Sequence, residues 1–221
     1  MEIHYILLDL DNTLYPASSG LQSEIGRRMT RYVAEFLHIT QEDAQKKRRE
    51  YLVRHGTTLS GLMKDNHLED VEVYLECCHP EKIERFLKKD PALKETLSSI
   101  SVPLSILTNS PIEHAYRILD FLEIRNLFEH IFDIRFNRFI GKPSKFLFRR
   151  VLEIISKQAE EVLFIDDLLG HLVSFKELGG NVLLVDERGE NSAAGIPAIR
   201  SLNDLPEVLF SLSGKCRHDI R

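Results

Sequence analysis

The hydrophobic pattern of this chain changes character twice. Near the N-terminus an unbroken apolar run, Tyr5-Ile6-Leu7-Leu8, leads into Asp9-Leu10-Asp11-Asn12-Thr13-Leu14-Tyr15. Such a run, bounded by turn-forming residues, predicts a strand buried on both faces of a parallel sheet. After Pro16 the period becomes helical. Leu21, Ile25, Met29, Val33 and Leu37 recur every four residues, with Tyr32 and Phe36 widening a stripe of core packing. Thr40-x-x-Asp43 then resembles a capping arrangement for a second helix. That helix carries Lys46-Lys47-Arg48-Arg49, four cations that cannot share one face and that predict a solvated side, with phosphate binding as the minor alternative. Gly56 breaks the helix, and Thr57 or Thr58 can cap a short one through Leu62-Met63. Two more helical segments are predicted around 68–75 and 81–87.

From Pro91 onward the pattern alternates between strands and helices. Residues 102–107 predict a strand that ends in Thr108-Asn109-Ser110. Pro111 fits the first position of a helix capped by Ser110, with Ile112, Ala115, Leu119 and Leu122 on one face. A strand is expected at 130–134. Gly141-Lys142-Pro143-Ser144 leads into a helix carrying Phe146, Val151, Ile154 and Ile155. Residues 162–165 form the next strand, ending in Asp166-Asp167. A helix to Leu178, closed by Gly179-Gly180, precedes a last strand at 182–185. Alternation of this kind predicts right-handed crossovers and an α/β fold, a Rossmann-like doubly wound parallel sheet. The expected organisation is an α/β core of residues 1–16 and 91–212, a helical cap of 17–90 inserted after the first strand, and a polar tail of 213–221.

Composition narrows this picture without redirecting it. Hydrophobic residues at 43% and charged residues at 29% are those of an ordinary globular protein. Lys plus Arg number 29 against 34 Asp plus Glu, a net charge of −5 that argues against a dedicated surface for polymeric nucleic acid. Three cysteines, two of them adjacent as Cys77-Cys78, supply neither a disulfide framework nor a four-ligand zinc set, so reduced thiols are expected. No apolar stretch has the length of a membrane span, and the N-terminus lacks the features of a signal peptide. A cytoplasmic protein without a membrane partner is the expectation.

Three strands thus end in polar residues: Asp9 and Asp11, Thr108 and Asn109, Asp166 and Asp167. Lys142 stands before a helix. In a parallel sheet these ends lie on one edge, where such folds place their ligands. Taken singly, each is explained by a turn or a helix cap. Taken together they offer several carboxylates to a hard, oxygen-seeking cation such as Mg²⁺, with one fixed positive charge beside them.

The ordered set Asp9-x-Asp11-x-Thr13, Thr108-Asn109-Ser110, Lys142-Pro143 and Asp166-Asp167 resembles the haloacid dehalogenase superfamily of phosphatases. The helical insert lies where one class of that superfamily places its cap. The resemblance implies that Asp9 is a nucleophile forming an aspartyl-phosphate, and that Asp11 is the acid and then the base. It further implies that Thr108 and Asn109 hold phosphoryl oxygens and that Lys142 neutralises charge. Asp9, the Asp11 backbone carbonyl and Asp167 would ligate Mg²⁺, with Asp166 ligating directly or through water. Relatives often continue the last motif with Ser and a later Asn; here Leu168-Leu169-Gly170-His171 follows. The second acid, Asp11, favours phosphoryl transfer over dehalogenation, which has no leaving alkoxide to protonate.

Within the superfamily, 9–16 and the stretch Tyr51…Gly56-Thr57-Thr58-Leu59-Ser60-Gly61-Leu62 are most similar to the pyrimidine 5′-nucleotidase branch. That likeness implies a nucleoside 5′-monophosphate as the small-molecule phosphomonoester substrate, with a sugar phosphate or phosphoglycolate as alternatives. His55, Thr57 and Thr58 are the candidate substrate contacts in the cap, a purely local role being the competing reading for His55. His114 reads as a surface residue. A phosphomutase stays open, as does a phosphonate hydrolase using Lys46, Lys47 or Lys64. Outside this chemistry stand a phospho-accepting receiver, whose acidic pair would come first in the chain, and an inactive binding module.

Overall fold

The computed structural model describes residues 2–191 and 195–212; the expected polar tail, with Cys216, lies outside them. Strand β1 is Tyr5–Leu8, followed by helices α1 (Leu21–Leu37), α2 (Gln41–His55), α3 (Thr58–Asn66), α4 (Val71–Cys78) and α5 (Pro91–Ser98). Then come β2 (Leu104–Leu107), α6 (Ile112–Phe121), β3 (Phe128–Phe132) and α7 (Lys145–Ile155). Strand β4 (Val162–Asp166), α8 (Leu169–Lys176), β5 (Asn181–Val185), β6 (Ala198–Ile199) and α9 (Leu205–Leu212) complete the order. All strands pair in parallel, in the order β3-β2-β1-β4-β5-β6.

Each central strand is apolar on both sides because both sides are covered. Ile6, Leu8, Ile106, Leu163, Ile165 and Leu183 point into one core, against α1, α5, α6 and α9. Tyr5, Leu7, Leu107, Val162, Phe164 and Leu184 point into the other, against α7 and α8. The exception on the second face is Ser105, whose burial is made tolerable by a 2.6 Å hydrogen bond with the Tyr5 hydroxyl. Connections run outward from β1 in one direction through β2 and β3, then reverse at β4. The reversal leaves the C-terminal ends of β1 and β4 side by side.

Helix α1 joins two cores. Its first half places Leu21 and Ile25 beneath the sheet, and its second half places Val33 and Ala34 in a separate cluster with α2, α3 and α4. Thr40 caps α2 as its spacing predicts, accepting from Asp43 N at 3.1 Å. Several boundaries differ from the expected ones. The helix expected at 68–75 begins at Val71, where the Asp70 side chain accepts from Val73 N. The segment at 81–87 is one 3₁₀ turn, Ile83–Arg85. The strand expected at 130–134 is Phe128–Phe132, because Asp133 is taken up in bonding the amides of Ile112, Arg135 and Phe136. On α7 the buried face is Leu147, Phe148, Val151 and Ile155, while Phe146 and Ile154 face solvent. The two-residue β6 carries too little pattern to be read in advance.

The α2–α3 corner explains part of the motif in which it lies. Tyr51 is fully buried, and its ring lies so close over Gly61 that a Cβ there would stand 2.2 Å from Tyr51 Cγ. Gly61→Ala is therefore predicted to destabilise the fold by about 1–3 kcal/mol, the usual range for overpacking a filled core. Urea denaturation of the variant should show a lower midpoint at unchanged slope; an unchanged midpoint would mean that the Tyr51 ring moves aside freely.

Candidate functional site

The parallel register sets Leu8 opposite Ile165, so Asp9 leaves β1 beside Asp166, the last residue of β4. Asp9 N still donates to Ile165 O at 2.8 Å, holding its side chain at the sheet edge. Between the two carboxylates lies Lys142, 1% exposed, whose Nζ donates to Asp9 Oδ1 at 2.6 Å and to Asp166 Oδ2 at 2.7 Å. Asp167 follows, accepting from Asn12 Nδ2 at 3.2 Å. Asn12 itself occupies the left-handed region, with φ of 60°, where asparagine is among the residues best tolerated.

The position of Lys142 is fixed by Asn109. The Asn109 Oδ1 accepts from Lys142 N at 2.7 Å, and its Nδ2 donates to Lys142 O at 3.0 Å. Residue 141 must be glycine for this clamp to close, since a Cβ there would stand 2.2 Å from Asn109 Oδ1. Asn109 thus uses its side chain on the lysine backbone, and Thr108 accepts from Ser110 N at 3.0 Å. Both residues also line the cavity above the strand ends.

Asp11 is embedded differently. Its carboxylate accepts from Tyr15 Oη at 2.5 Å, Ser110 Oγ at 2.5 Å and His114 Nε2 at 2.9 Å. The expected surface position of His114 is overturned: it is completely buried on α6, facing Asp11. Nor does Ser110 cap that helix. Pro111 occupies the cap position, Asp133 accepts from Ile112 N at 3.1 Å, and the Ser110 hydroxyl is released for Asp11. His79, at the end of α4, brings its ring to 4.9 Å from that of His114.

Charge sets the behaviour of these acids. Burial pushes the Asp9 carboxyl well above its ordinary range; Lys142 opposes the shift, and Asp166, Asp167 and Asp11 add to it. Asp167 is raised to about 7 by burial and then by the charge on Asp166. For Asp166, burial is outweighed by Lys142 and His171, which bring it down to about 2. For Asp11, burial is likewise outweighed, by His114 first and then Ser110 and Tyr15, and its carboxyl is held well below the usual range. His171 occupies the altered end of the last motif, and its Nδ1 donates to Asp166 Oδ2 at 2.9 Å. Leu168 N adds a 2.8 Å bond to Asp166 Oδ1. The departure from the Ser-and-Asn pattern therefore leaves Asp166 well supported.

Carboxylate oxygens of Asp9, Asp166 and Asp167 lie within 4.8 Å of one another. One lysine does not neutralise this many buried acids, so the donor set suits a divalent cation. Above it the cavity has a volume of about 300 Å³ and is roofed by the α1–α4 helices. Thr57 and Thr58 line it; His55 does not, lying instead 3.0 Å from Asp65 of α3. Thr57 caps α3 by accepting from Ser60 N at 3.0 Å. Arg48, expected on a solvated side, turns inward and lines the same cavity.

The profile of the haloacid dehalogenase-like hydrolases matches residues 3–179. This chain belongs to that family. Phosphate metabolism protein 8 of Saccharomyces cerevisiae is 27% identical over 192 residues, covering 79% of this chain; the chain spans 59% of that relative's length. A phosphatase of the family from Thermococcus onnurineus shares the fold at a TM-score of 0.64 and 18% identity, over 95% of this chain and 98% of its own. The L-2-haloacid dehalogenase of Xanthobacter autotrophicus, with chloropropionic acid covalently bound, superposes equally, at a TM-score of 0.64 and 15% identity over 97% and 100%. The magnesium-bound YfnB of Bacillus subtilis gives a TM-score of 0.61 and 20% identity over 95% and 99%. At such identities the structural likeness speaks for the fold of this chain. No helix among its described residues is long and apolar enough to cross a membrane.

The raised Asp167 carboxyl carries a consequence for cation binding. Between about pH 4 and pH 7 the folded chain without a bound cation keeps a proton on Asp167 that the unfolded chain has lost, so this group's contribution to stability declines as pH rises. A cation bound there displaces the proton. The increase in Tm produced by MgCl₂ is predicted to grow from about pH 5 to pH 7 and level off above, and to shrink strongly in Asp167→Asn. Differential scanning fluorimetry at fixed ionic strength measures it; a pH-independent shift would remove Asp167 from the binding set.

Proposed function

We propose that this hydrolase is a magnesium-dependent phosphomonoesterase working through an aspartyl-phosphate on Asp9, with nucleoside 5′-monophosphates, pyrimidine ones foremost, as its substrates. The observation that carries the proposal is the second acid. Asp11 is buried two residues from Asp9 and supplied with three donors, and dehalogenation gives such a group nothing to protonate.

The chain's own residues support each step. Lys142 engages Asp9 Oδ1, and Asp9 Oδ2, with no hydrogen bond among the described residues, is the atom assigned to attack phosphorus. As the Asp9–phosphorus bond forms, the bond to the leaving oxygen breaks and that oxygen takes a proton from Asp11. Water then attacks phosphorus, Asp11 takes the water's proton, and the bonding pair returns to Asp9. Tyr15, Ser110 and His114 favour the ionised Asp11 that the second half requires. The negative phosphoryl group favours the protonated form that the first half requires. Mg²⁺ held by Asp9, Asp166 and Asp167, with the Asp11 carbonyl, would supply the positive charge that offsets repulsion between carboxylate and phosphate.

The name of the yeast relative places it in phosphate metabolism, and the Bacillus neighbour is magnesium-bound with interdomain movement. Both accord with this reading, and with helices α1–α4 acting as a cap over residues 17–90 that opens and closes. The preference for nucleotides rests on the Gly56-Thr57-Thr58 part of the motif, since Tyr51 and Gly61 serve packing. A sugar phosphate or phosphoglycolate remains the second reading.

Purified protein should release phosphate from phenyl phosphate in the presence of Mg²⁺ and cease with chelator. Asp9→Asn should lower kcat on the order of 10³-fold or more. For Asp11→Asn the loss should be about 10²–10⁴-fold. Both variants should keep the far-ultraviolet circular dichroism of the parent. Chloride release from 2-chloropropionate in place of phosphate release would replace this function with dehalogenation.

A further inference from the structure

Among the described residues Arg48 is a cation without an anion. Its Nη1 donates to Gly26 O at 2.5 Å and to Thr30 Oγ1 at 2.7 Å. Its Nη2 meets the Met29 sulfur at 3.4 Å, and Nε lies 3.5 Å from Thr58 Oγ1. Every partner is neutral, and among the described residues no carboxylate lies within ion-pair distance of it. Of the other cations on its helix, Lys46, Lys47 and Arg54 each pair with an acid, and Arg49 is exposed to solvent. Partly buried guanidinium groups are ordinarily paired, because removal from water penalises an uncompensated charge. Here the group lines the cavity that also holds Asp9, and among the described residues a weak thioether is the only partner of Nη2. The walls around it are otherwise largely apolar, from Ile25, Met29, Leu59, Leu75 and Ile134. A phosphoryl group at the strand ends would be served by Lys142, Thr108 and Asn109, which leaves the arginine on the opposite, helical side for the remainder of the substrate.

We infer that Arg48 is a specificity residue that receives an oxygen acceptor on the leaving group, so that the preferred phosphomonoesters carry a carboxylate or a ring carbonyl beyond the ester oxygen. This rests on the phosphomonoesterase reading and adds to it the chemical class of the leaving group. The planar fork of Arg48 suits either acceptor. A pyrimidine carbonyl and a free carboxylate share this chemistry.

The test compares kcat/KM for uridine 5′-monophosphate and for 2-phosphoglycolate with that for phenyl phosphate, whose leaving group has no second acceptor. In Arg48→Met, the ratio to phenyl phosphate should fall about 10- to 100-fold for the substrate whose acceptor is read, mainly through KM. The substrate that suffers the fall identifies carbonyl or carboxylate. Arg48→Lys keeps the charge without the fork and should recover part of the ratio. It also serves as the second variant should the loss of the Gly26 and Thr30 bonds prevent Arg48→Met from folding. Unchanged ratios for both substrates overturn the inference. An equal loss on all three, phenyl phosphate included, also overturns it, because Arg48 would then serve the phosphoryl group. Failure of the unsubstituted protein to release phosphate from any of the three would instead sink the phosphatase reading on which the inference depends.

Discussion

The Lys142 ammonium between Asp9 and Asp166 is the interaction on which the rest of this structure depends. Two adjacent strand ends bring two carboxylates together at the floor of a buried edge, and a third, Asp167, follows immediately. Without a cation between them these acids would repel or take up protons. Breaking a buried pair by removing one partner typically costs about 3–5 kcal/mol. Lys142 is accordingly held on both sides: its ammonium by two acids, its backbone by both ends of the Asn109 amide. The sheet can close tightly because the lysine is there, and the lysine stays because the sheet offers it two anions.

That one positive charge is still too little. Asp9 and Asp167 are shifted upward while Asp166 is held down, so the site divides into an acid already satisfied by Lys142 and His171 and acids that await more positive charge. Asp11 belongs to neither group. Its three donors come from the first loop, the end of β2 and α6, so its carboxylate is stabilised by the protein alone. Two aspartates separated by one residue therefore sit in opposed electrostatic settings, a condition for giving them different tasks.

Most of the framework was legible in the sequence, for a physical reason. Strands buried on both faces must be continuously apolar, so their polar ends stand out, and parallel topology gathers those ends. Asp9, Asp166 and Asp167 could be read in this way, and Lys142, which stands before a helix, only through the motif it shares with Pro143. His114 could not, because a histidine on a helix announces neither its face nor its partner; only the missing apolar residue between Ile112 and Ala115 on a buried face hints at it. Arg48 was hidden within a run of cations, where composition suggests solvent and only the helix rotation reveals which one turns inward. The Asn109 clamp was obscured for another reason: its partner is a backbone 33 residues away, and backbone groups leave no mark on a sequence.

The helical layer is attached where it can influence the reacting groups. Gly56, with φ of +82°, sits beside the lysine loop, where a Cβ would make ordinary contact at 3.4 Å from Pro143 Cδ and 3.6 Å from Lys142 O. Ser60 Oγ donates to Phe139 O at 2.8 Å, and Glu72 pairs with Arg135 on the same core segment. The layer thus rests on the loop that carries Lys142. On its other side, its exit at His79 packs against His114, which holds Asp11. The roof thus meets the floor at two places, through Gly56 beside the Lys142 backbone and through His79 beside the histidine that bonds Asp11.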